Sequence, residues 1–393
     1  MYKISCMKKV LLGLLVMMIF NSFLAQNLSD LSFGTDSTFE VLTWNIEWFP
    51  KNGQTTVNYV AQIIEELDVD VMAIQEVDDT TVFKQMIDDL EDYDYFFKSS
   101  YFAGLAYIYN NQSVVVDDIY EIYTSQPYWS PFPRSPVVME LSYLNEELIV
   151  INNHFKCCGD GVLNLSDSGD EESRRHIAST LLKQYIDTYF PNKRVFMLGD
   201  LNDILTDNQS NNVFQMYLDD PLNYAFADMN IAIGASNGWS YPSWPSHLDH
   251  ILISNELFAD FGNTNSVIEV IKVDDYMASW SAYDNNVSDH RPVGIKMAIT
   301  PGMNRAGYAD EESAFKIYPN PVSETLVFKC FIDNHSLTIN IYDLQGNLID
   351  VVGNVPSGHE IMYTVSDLAP GVYYAQFLAN NNELVIKRFM VLR

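Results

Sequence analysis

A nine-residue segment at residues 195–203 constrains the fold of this chain more than any other feature. It reads Val-Phe-Met-Leu-Gly-Asp-Leu-Asn-Asp, so four apolar residues lead into a glycine and then into polar residues. An unbroken short apolar run predicts a strand that is buried on both faces. Asp200 and Asn202 stand two positions apart, so both side chains can point the same way from the strand end. They could hold a metal ion, a water or a phosphate oxygen. Asx side chains that cap their own turn are an equally good interpretation.

Other apolar runs are bordered by similar polar residues. These runs predict strands at residues 39–44, 71–74, 105–109, 137–141, 148–151, 251–253 and 293–299. Amphipathic helices are predicted at 56–67, 82–90 and 174–186, and this order indicates a layered α/β core. In such folds, side chains at strand ends converge on one rim of the sheet. The residues in question are Asn45, Glu76, His154, Asp200, Asn202, Asp249, Asp289 and His290.

These residue types together suit hydrolysis at phosphorus. Carboxylates with an asparagine make an oxygen site for a hard cation such as Mg²⁺ or Ca²⁺. Histidines exchange protons near neutral pH, and a carboxylate can orient one of them. Each residue alone has a simpler structural interpretation as a turn or a buried polar group. All eight at the borders of apolar runs are hard to explain independently.

The charge of the chain limits its partners. The 393 residues include 22 Lys and Arg against 52 Asp and Glu, a formal net charge of −30. Such a field repels nucleic acid and anionic lipid at long range, so a phosphate substrate would need metal ions or local cations. The length predicts two domains.

The N-terminal segment and the cysteines indicate where the chain goes and how it is held together. Residues 1–25 predict a signal peptide, with Lys3, Lys8 and Lys9 before an apolar run at 10–20 and cleavage at Ala25. That run is too short to span a bilayer, and no later segment qualifies. Cys157, Cys158 and Cys330 remain after cleavage, which is no disulfide framework and no zinc pattern. Adjacent cysteines can bridge only with local strain.

Six motifs in order resemble the endonuclease/exonuclease/phosphatase family, which includes DNase I-like nucleases, sphingomyelinases and inositol-phosphate phosphatases. The motifs are Trp-Asn-Ile-Glu, Gln-Glu-Val, Asn-His-Phe-Lys, Gly-Asp-Leu-Asn-Asp, Leu-Asp-His-Ile-Leu and Ser-Asp-His-Arg-Pro-Val, within residues 39–299. The resemblance implies a four-layer α/β/β/α sandwich and phosphoester hydrolysis that depends on Mg²⁺, Mn²⁺ or Ca²⁺. The family often has tyrosine where this chain has His250.

The resemblance also implies roles for individual residues. Metal ligands would be Asn45, Glu76 and Asp289. Asp200 and Asn202 would orient water and phosphate, Asp249 would pair with His290 as the acid/base, and His154 would contact the scissile phosphate. We further expect Lys156 and Arg174 to meet substrate phosphate, although a loop lysine and an exposed helix terminus explain them equally well.

The C-terminal part of the chain has a different pattern of predicted secondary structure. Residues 300–313 are polar and predict a linker, and residues 314–393 contain only strand-like segments, which predicts a small all-β sandwich. Phe-Lys-Ile-Tyr-Pro-Asn-Pro-Val at 315–322 and Leu-Ala-Pro-Gly-Val-Tyr-Tyr at 368–374 resemble the sorting domain of the type IX secretion system of the Bacteroidetes. The resemblance implies contact with that machinery and export across the outer membrane. A carbohydrate- or partner-binding sandwich is the alternative.

The sequence therefore predicts a secreted, monomeric, metal-dependent phosphodiesterase, in first place an extracellular nuclease acting on DNA or RNA. The alternatives are a phosphatase or phospholipid phosphodiesterase of the same family and, in another class, a catalytically dead binding module. Four aromatic residues could contact bases or lipid at the rim, although we expect them to pack in the core or in loops: Trp129, Trp239, Tyr241 and Trp244.

Overall fold

The computed structural model describes residues 27–97, 103–300, 315–330, 336–343, 346–356, 360–379 and 382–391. The predicted signal peptide and nearly all of the predicted linker lie outside these residues. The chain divides into two compact units, Met1–Pro301 and Gly302–Arg393. In the described part, no helix has both the length and the apolar character needed to cross a membrane.

The first unit contains two six-stranded mixed sheets. Its strands are β1 (Phe39–Phe49), β2 (Val71–Val77), β3 (Tyr93–Phe97), β4 (Gly104–Asn110), β5 (Val114–Glu121), β6 (Val137–Tyr143), β7 (Glu146–His154), β8 (Arg194–Asp200), β9 (Tyr224–Phe226), β10 (Asp249–Ser254), β11 (Val267–Val270) and β12 (Val293–Met297). The first sheet has the order β11-β12-β1-β2-β4-β3, and the second has the order β5-β6-β7-β8-β10-β9. The parallel pairs are β1 with β2 and β7 with β8.

Helices cover the outer face of each sheet. The helices of the unit are α1 (Gln54–Leu67), α2 (Thr80–Asp88), α3 (Glu171–Tyr189), α4 (Gln215–Leu218), α5 (Met229–Ala232), α6 (Phe258–Phe261) and α7 (Trp280–Asn286), with 3-10 turns at Leu28–Asp30, Ser236–Gly238, Asn255–Leu257 and Val273–Tyr276. Of these, α6 packs instead against the core between the sheets. Strand β1 shows why its sequence is an unbroken apolar run. Val41 packs into the core between the sheets, whereas its neighbour Leu42 packs against the helices on the other side. The unit is thus the predicted four-layer α/β/β/α sandwich.

The eight interior strands of these sheets were predicted, and the four edge strands were not. The missing strands are β3, β11, β5 and β9, one at each sheet edge. An edge strand has a neighbour on one side only, and it need not be apolar on both faces. Strand β5, for example, contains Asp117 and Asp118 and is mostly exposed or half-buried. Its short apolar run at residues 114–116 is followed at once by these two carboxylates, so the strand was not recognised.

The second unit is all β, as predicted. Its strands are β13 (Phe315–Tyr318), β14 (Thr325–Cys330), β15 (Ser336–Tyr342), β16 (Leu348–Pro356), β17 (Glu360–Thr364), β18 (Gly371–Ala379) and β19 (Asn382–Val391). They form antiparallel sheets in the orders β13-β14-β17 and β16-β15-β18-β19. Buried apolar side chains from both sheets, such as Phe328 and Phe377, share one core. The strands of the smaller sheet were not located from the sequence.

Candidate active site

Strand register brings the polar residues to one rim of the sandwich. In the second sheet, His154 at the end of β7 is paired with Asp200 on β8, and Asp200 is paired with Asp249 on β10. In the first sheet, Asn45 on β1 is paired with Gln75 on β2, immediately before Glu76. Both sheets therefore contribute side chains to the same cleft.

The backbone at this rim is held in unusual conformations. Gly199 has a φ of 148°, and a Cβ atom there would lie 2.0 Å from the carbonyl oxygen of Asn153. Only glycine lets β8 approach β7 this closely beside His154. Glu76 and Asn202 have positive φ values of 65° and 52°. Such left-handed residues are costly unless the surroundings enforce them, and they cluster at functional sites.

Asn45 connects the two sheets at the centre of the cleft. Its Nδ2 donates to Asp200 Oδ2 at 3.0 Å and lies 3.2 Å from Glu76 Oε1. Its Oδ1 accepts from the backbone N–H of Glu47 at 2.9 Å. Asn45 is buried. Because one amide binds both carboxylates, Glu76 and Asp200 face a common point.

His290 and Asp249 form a buried pair. His290 Nδ1 lies 2.8 Å from Asp249 Oδ2, and the imidazole contacts the ring of Tyr241, with ring centroids 4.7 Å apart. Burial alone would lower the pKa of His290, but the charges of Asp249 and Asp200 raise it to about 10. The imidazole is therefore protonated at neutral pH. Its Nε2 lies 3.8 Å from Asp200 Oδ2.

His154 is in the opposite charge state: its imidazole is neutral at neutral pH. Its Nε2 lies 3.4 Å from Asp200 Oδ2 and 3.9 Å from Glu76 Oε1. Burial, together with the positive charges of Arg134 and His290, holds the pKa of His154 well below its usual range. Its buried Nδ1 has no hydrogen-bond partner among the described residues. The two histidines thus differ in charge at neutral pH.

Arg134 belongs to the site, although it was not among the candidates chosen from the sequence. It stands in the loop before β6, outside every recognised motif. Its charge acts on Glu76 and Asp200, and its Nε is buried with no hydrogen-bond partner in the described part of the chain. A guanidinium with an unused Nε donor, beside two carboxylates, can bind a phosphate oxygen. The only signal in the sequence is a basic residue in a very acidic chain.

The acidic side chains fit a divalent cation. Asp289 donates its backbone N–H to Glu47 Oε2 at 2.8 Å, and Lys51 binds the same Glu47 carboxylate. Burial raises the pKa of Asp289 and of Glu47. Burial also raises the pKa of Asp200 to about 7, and the charges of Asp249 and Glu76 add to this effect. Crowded carboxylates are oxygen donors of the kind that Mg²⁺ or Ca²⁺ prefers.

The three basic residues after His154 have separate environments. Lys156 Nζ lies 2.8 Å from the carbonyl oxygen of Cys157, and Arg174 Nε donates to the carbonyl oxygen of Ser130 at 2.6 Å. Arg175, in contrast, is buried and pairs with Asp203 at 2.8 Å and Glu172 at 3.0 Å. Lys156 and Arg174 are partly accessible, whereas Arg175 is structural.

Two of the four aromatic residues singled out from the sequence do not pack in the core. Trp129 and Trp244 are 56% and 77% exposed. Tyr241 covers His290, as described above, and Trp239 donates to the carbonyl oxygen of Ile231. Trp48, whose backbone N–H donates to Glu76 Oε2 at 3.1 Å, is 44% exposed. The backbone of Trp48 thus lies beside Glu76, and its side chain is partly exposed.

His250 stands where the family often has a tyrosine, and its side chain has a structural role in this chain. Its Nδ1 lies 2.6 Å from Asp228 Oδ2 and its Nε2 lies 2.9 Å from the carbonyl oxygen of Asp203. Both ring nitrogens face acceptors, so the imidazole is charged, and the carboxylate of Asp228 raises its pKa against the effect of burial. The Asp228 contact ties β10 to the segment after β9, and the Asp203 contact ties it to the segment after β8.

The fold and this cleft define a class of phosphoester hydrolases. The chain belongs to the endonuclease/exonuclease/phosphatase family, whose profile it matches over residues 42–290. Enzymes of this family use divalent metals. Residues 316–392 match the secretion system C-terminal sorting domain. That domain indicates contact with the type IX machinery and export to a secreted or cell-surface location.

Solved structures with the same fold have low sequence identity to this chain. Zebrafish TDP2, solved in complex with a single-strand DNA product, is 13% identical, with 67% of this chain and 100% of that chain covered and a TM-score of 0.51. The human nocturnin catalytic domain, with a bound sulfate, is 14% identical, with coverage of 67% and 95% and a TM-score of 0.48. An endonuclease/exonuclease/phosphatase from Bacteroides vulgatus is 13% identical, with coverage of 67% and 100% and a TM-score of 0.47. No curated protein matches.

Proposed function

We propose that this protein is an extracellular, divalent-metal-dependent nuclease that hydrolyses phosphodiester bonds in DNA or RNA. The observation that carries the proposal is the convergence of Asn45 and Glu76 from one sheet with His154, Asp200 and Asp249 from the other. The catalytic unit is assigned to residues 39–299 and the sorting unit to residues 314–393.

Asn45, Glu76 and Asp289 would hold the cation. When bound, a divalent cation such as Mg²⁺, Mn²⁺ or Ca²⁺ supplies Lewis-acid polarisation of the phosphoryl group. The long-range repulsion of a phosphate by the acidic chain is thereby offset within the cleft.

Asp200 is the proposed general base. A pKa of about 7 lets this carboxylate accept a proton from water near neutral pH, where proton transfer is most effective. Asn202 follows two residues later, and its backbone N–H donates to Asp200 Oδ1 at 3.1 Å. We assign Asn202 the task of orienting that carboxylate and the substrate phosphate.

His290, His154 and Arg134 complete the proposed mechanism. Protonated His290, oriented by Asp249, can donate a hydrogen bond or a proton to the charge that develops on phosphate oxygens. Neutral His154 can donate to the scissile phosphate without adding charge. Arg134 can bind a non-bridging oxygen, and its buried Nε has no hydrogen-bond partner among the described residues.

The exposed tryptophan side chains are compatible with a nucleic acid as the substrate. Trp48 lies beside Glu76, and bases of single-stranded nucleic acid stack on such side chains with little dependence on sequence. The net charge of −30 argues for weak binding. Salt screens this repulsion beyond about 8–10 Å, so turnover with weak binding is compatible with it. Exposed tryptophan would equally suit a lipid headgroup region, so a phospholipid phosphodiesterase is the second candidate.

The test is nicking of supercoiled plasmid by the purified full chain with Mg²⁺, Mn²⁺ or Ca²⁺, with EDTA and His154→Ala as controls. We expect nicked plasmid that disappears in both controls. Intact plasmid together with hydrolysis of sphingomyelin or of a chromogenic phosphoester would move the substrate to lipid or to small phosphates. Metal-dependent phosphate binding with no turnover would indicate a binding module.

Lys156 and Arg174 are proposed to contact phosphates of the substrate strand other than the scissile one. Arg174→Ala should then raise the Michaelis constant on plasmid or oligonucleotide. An unchanged Michaelis constant and turnover number would remove Arg174 from the site.

A further inference from the structure

Cys157 and Cys158 lie in the loop between β7 and α3, three and four residues after His154. Their sulfur atoms are 3.0 Å apart, and both residues are exposed. Side chains of neighbouring residues point to opposite sides of an extended backbone. Here Cys158 has a φ of 72° and Gly159 has a φ of 113°, so the chain turns and places both sulfurs on the same side.

The buried guanidinium of Arg175 stabilises this turn through hydrogen bonds to its backbone. Arg175 donates to the carbonyl oxygens of Lys156 and Cys158, both at 2.7 Å. Arg175 is itself fixed by Asp203 and Glu172. Because the backbone is fixed on both sides of Cys157, the close approach of the two sulfurs is part of the folded structure.

We propose that Cys157 and Cys158 form a vicinal disulfide once the protein has left the cytoplasm. The sorting domain directs the chain to a location where no reducing system keeps thiols reduced. In the cytoplasm the pair stays as two thiols.

The oxidant is a small-molecule disulfide, such as glutathione disulfide. The Cys157 thiolate attacks one of its sulfurs and releases one glutathione thiolate, which leaves a mixed disulfide. The Cys158 thiolate then displaces the second glutathione and closes the bond between the two residues. In total, two cysteine thiols lose two protons and two electrons, and one glutathione disulfide becomes two thiols. Lys156 Nζ lies 3.7 Å from Cys157 Sγ, so a thiolate there faces a positive charge.

The effect of the bridge is local. The stabilisation that a disulfide gives through the unfolded chain grows with loop length, and this loop contains only two residues. The bridge instead fixes the turn between Lys156 and Gly159 and removes two exposed thiols.

The experiment equilibrates the purified full chain in reduced and oxidised glutathione buffers, alkylates the remaining thiols and digests with trypsin. Cleavage after Lys156 and Arg174 places both cysteines on one peptide, residues 157–174, and cleavage after Lys329 places Cys330 on another. After oxidation we expect the 157–174 peptide to carry no alkyl group and to be about 2 Da lighter than the dithiol form. Reduction should restore two alkylation sites.

Cys157→Ser and Cys158→Ser are the matched controls, since each leaves one exposed thiol at the same turn. In both, the remaining cysteine should be alkylated or should carry one glutathione. The proposal is overturned if the oxidised wild-type peptide carries alkyl groups or glutathione on both cysteines. Intermolecular disulfide cross-linking through the 157–174 peptide would overturn it as well.

Discussion

Asp249 Oδ2 lies 2.8 Å from His290 Nδ1, which connects β10 with the turn before β12 across 41 positions of sequence. The carboxylate keeps the imidazole charged and fixes which nitrogen faces the cleft. The second oxygen of Asp249 is buried and has no hydrogen-bond partner among the described residues. Among the described residues, His290 is therefore the hydrogen-bond partner of this carboxylate.

Asp249→Asn should lower the turnover number by about 10²–10⁴-fold with little change in the Michaelis constant. The neutral amide no longer stabilises the imidazolium, so the acid/base role of His290 is lost while substrate contacts remain. Steady-state kinetics on an oligonucleotide measure this, with the exposed carboxylate variant Asp88→Asn as the control. A loss confined to the Michaelis constant would contradict the assigned role.

Arg134→Ala should lower kcat/KM by roughly 10- to 100-fold, the usual cost of a lost hydrogen bond to a charged group. Arg134→Lys should recover part of the loss, because it restores the charge without the planar pair of donors. The control is Lys193→Ala, because Lys193 is exposed just before β8, at the end opposite Asp200. Equal losses in the Arg134→Ala variant and this control would show that only net charge matters.

Removal of divalent metal should abolish hydrolysis, and addition of Mg²⁺ should raise the melting temperature of the metal-free protein by several degrees. A ligand that binds only the folded state stabilises it in proportion to the logarithm of its concentration over its dissociation constant. Glu76→Gln should remove most of this thermal shift. A shift of the same size in Glu76→Gln would place the cation elsewhere.

Glu40 should make the protein less stable as the pH rises. Burial raises the pKa of Glu40 from its ordinary 4.5 to about 8, and the nearby charge of Asp70 adds to this. Between these pH values the folded state holds a proton that the unfolded state has released, so the free energy of unfolding falls with increasing pH. The contribution is on the order of 5 kcal/mol across this range.

Glu40→Gln should flatten that dependence and should leave the variant more stable than the wild type at pH 9. Urea unfolding at pH 5, 7 and 9 measures the difference. Parallel pH profiles for the two proteins would rule out Glu40 as the source.

The interior strands could be predicted because their burial on both faces requires a run of apolar residues in the local sequence. A strand such as β8 is covered on both faces, so four consecutive apolar residues are required. The edge strands β3, β5, β9 and β11 lack this requirement, and their pairing depends on a neighbour that is distant in sequence. Asp200 and Asn202 could be chosen as candidates because they are two residues apart at a strand end.

Arg134 could not be found in this way, and Tyr241 was named only as one of four aromatic residues, without its contact to His290. Each stands in an irregular segment, and its place beside His154 or His290 results from the packing of loops against the sheets. The same holds for Asp228, whose charge pairs with His250. No local pattern distinguishes these residues from other loop residues of the same type.

The sequence by itself determined the α/β sandwich, the sorting unit and the set of polar side chains at the strand ends, since burial periodicity and motif order are properties of the chain. The tertiary structure alone decided which histidine is charged. His290 is protonated and His154 is neutral because Asp249 contacts one imidazole while Arg134 and burial act on the other. Such charge states depend on distances of a few ångströms between residues that the sequence keeps far apart.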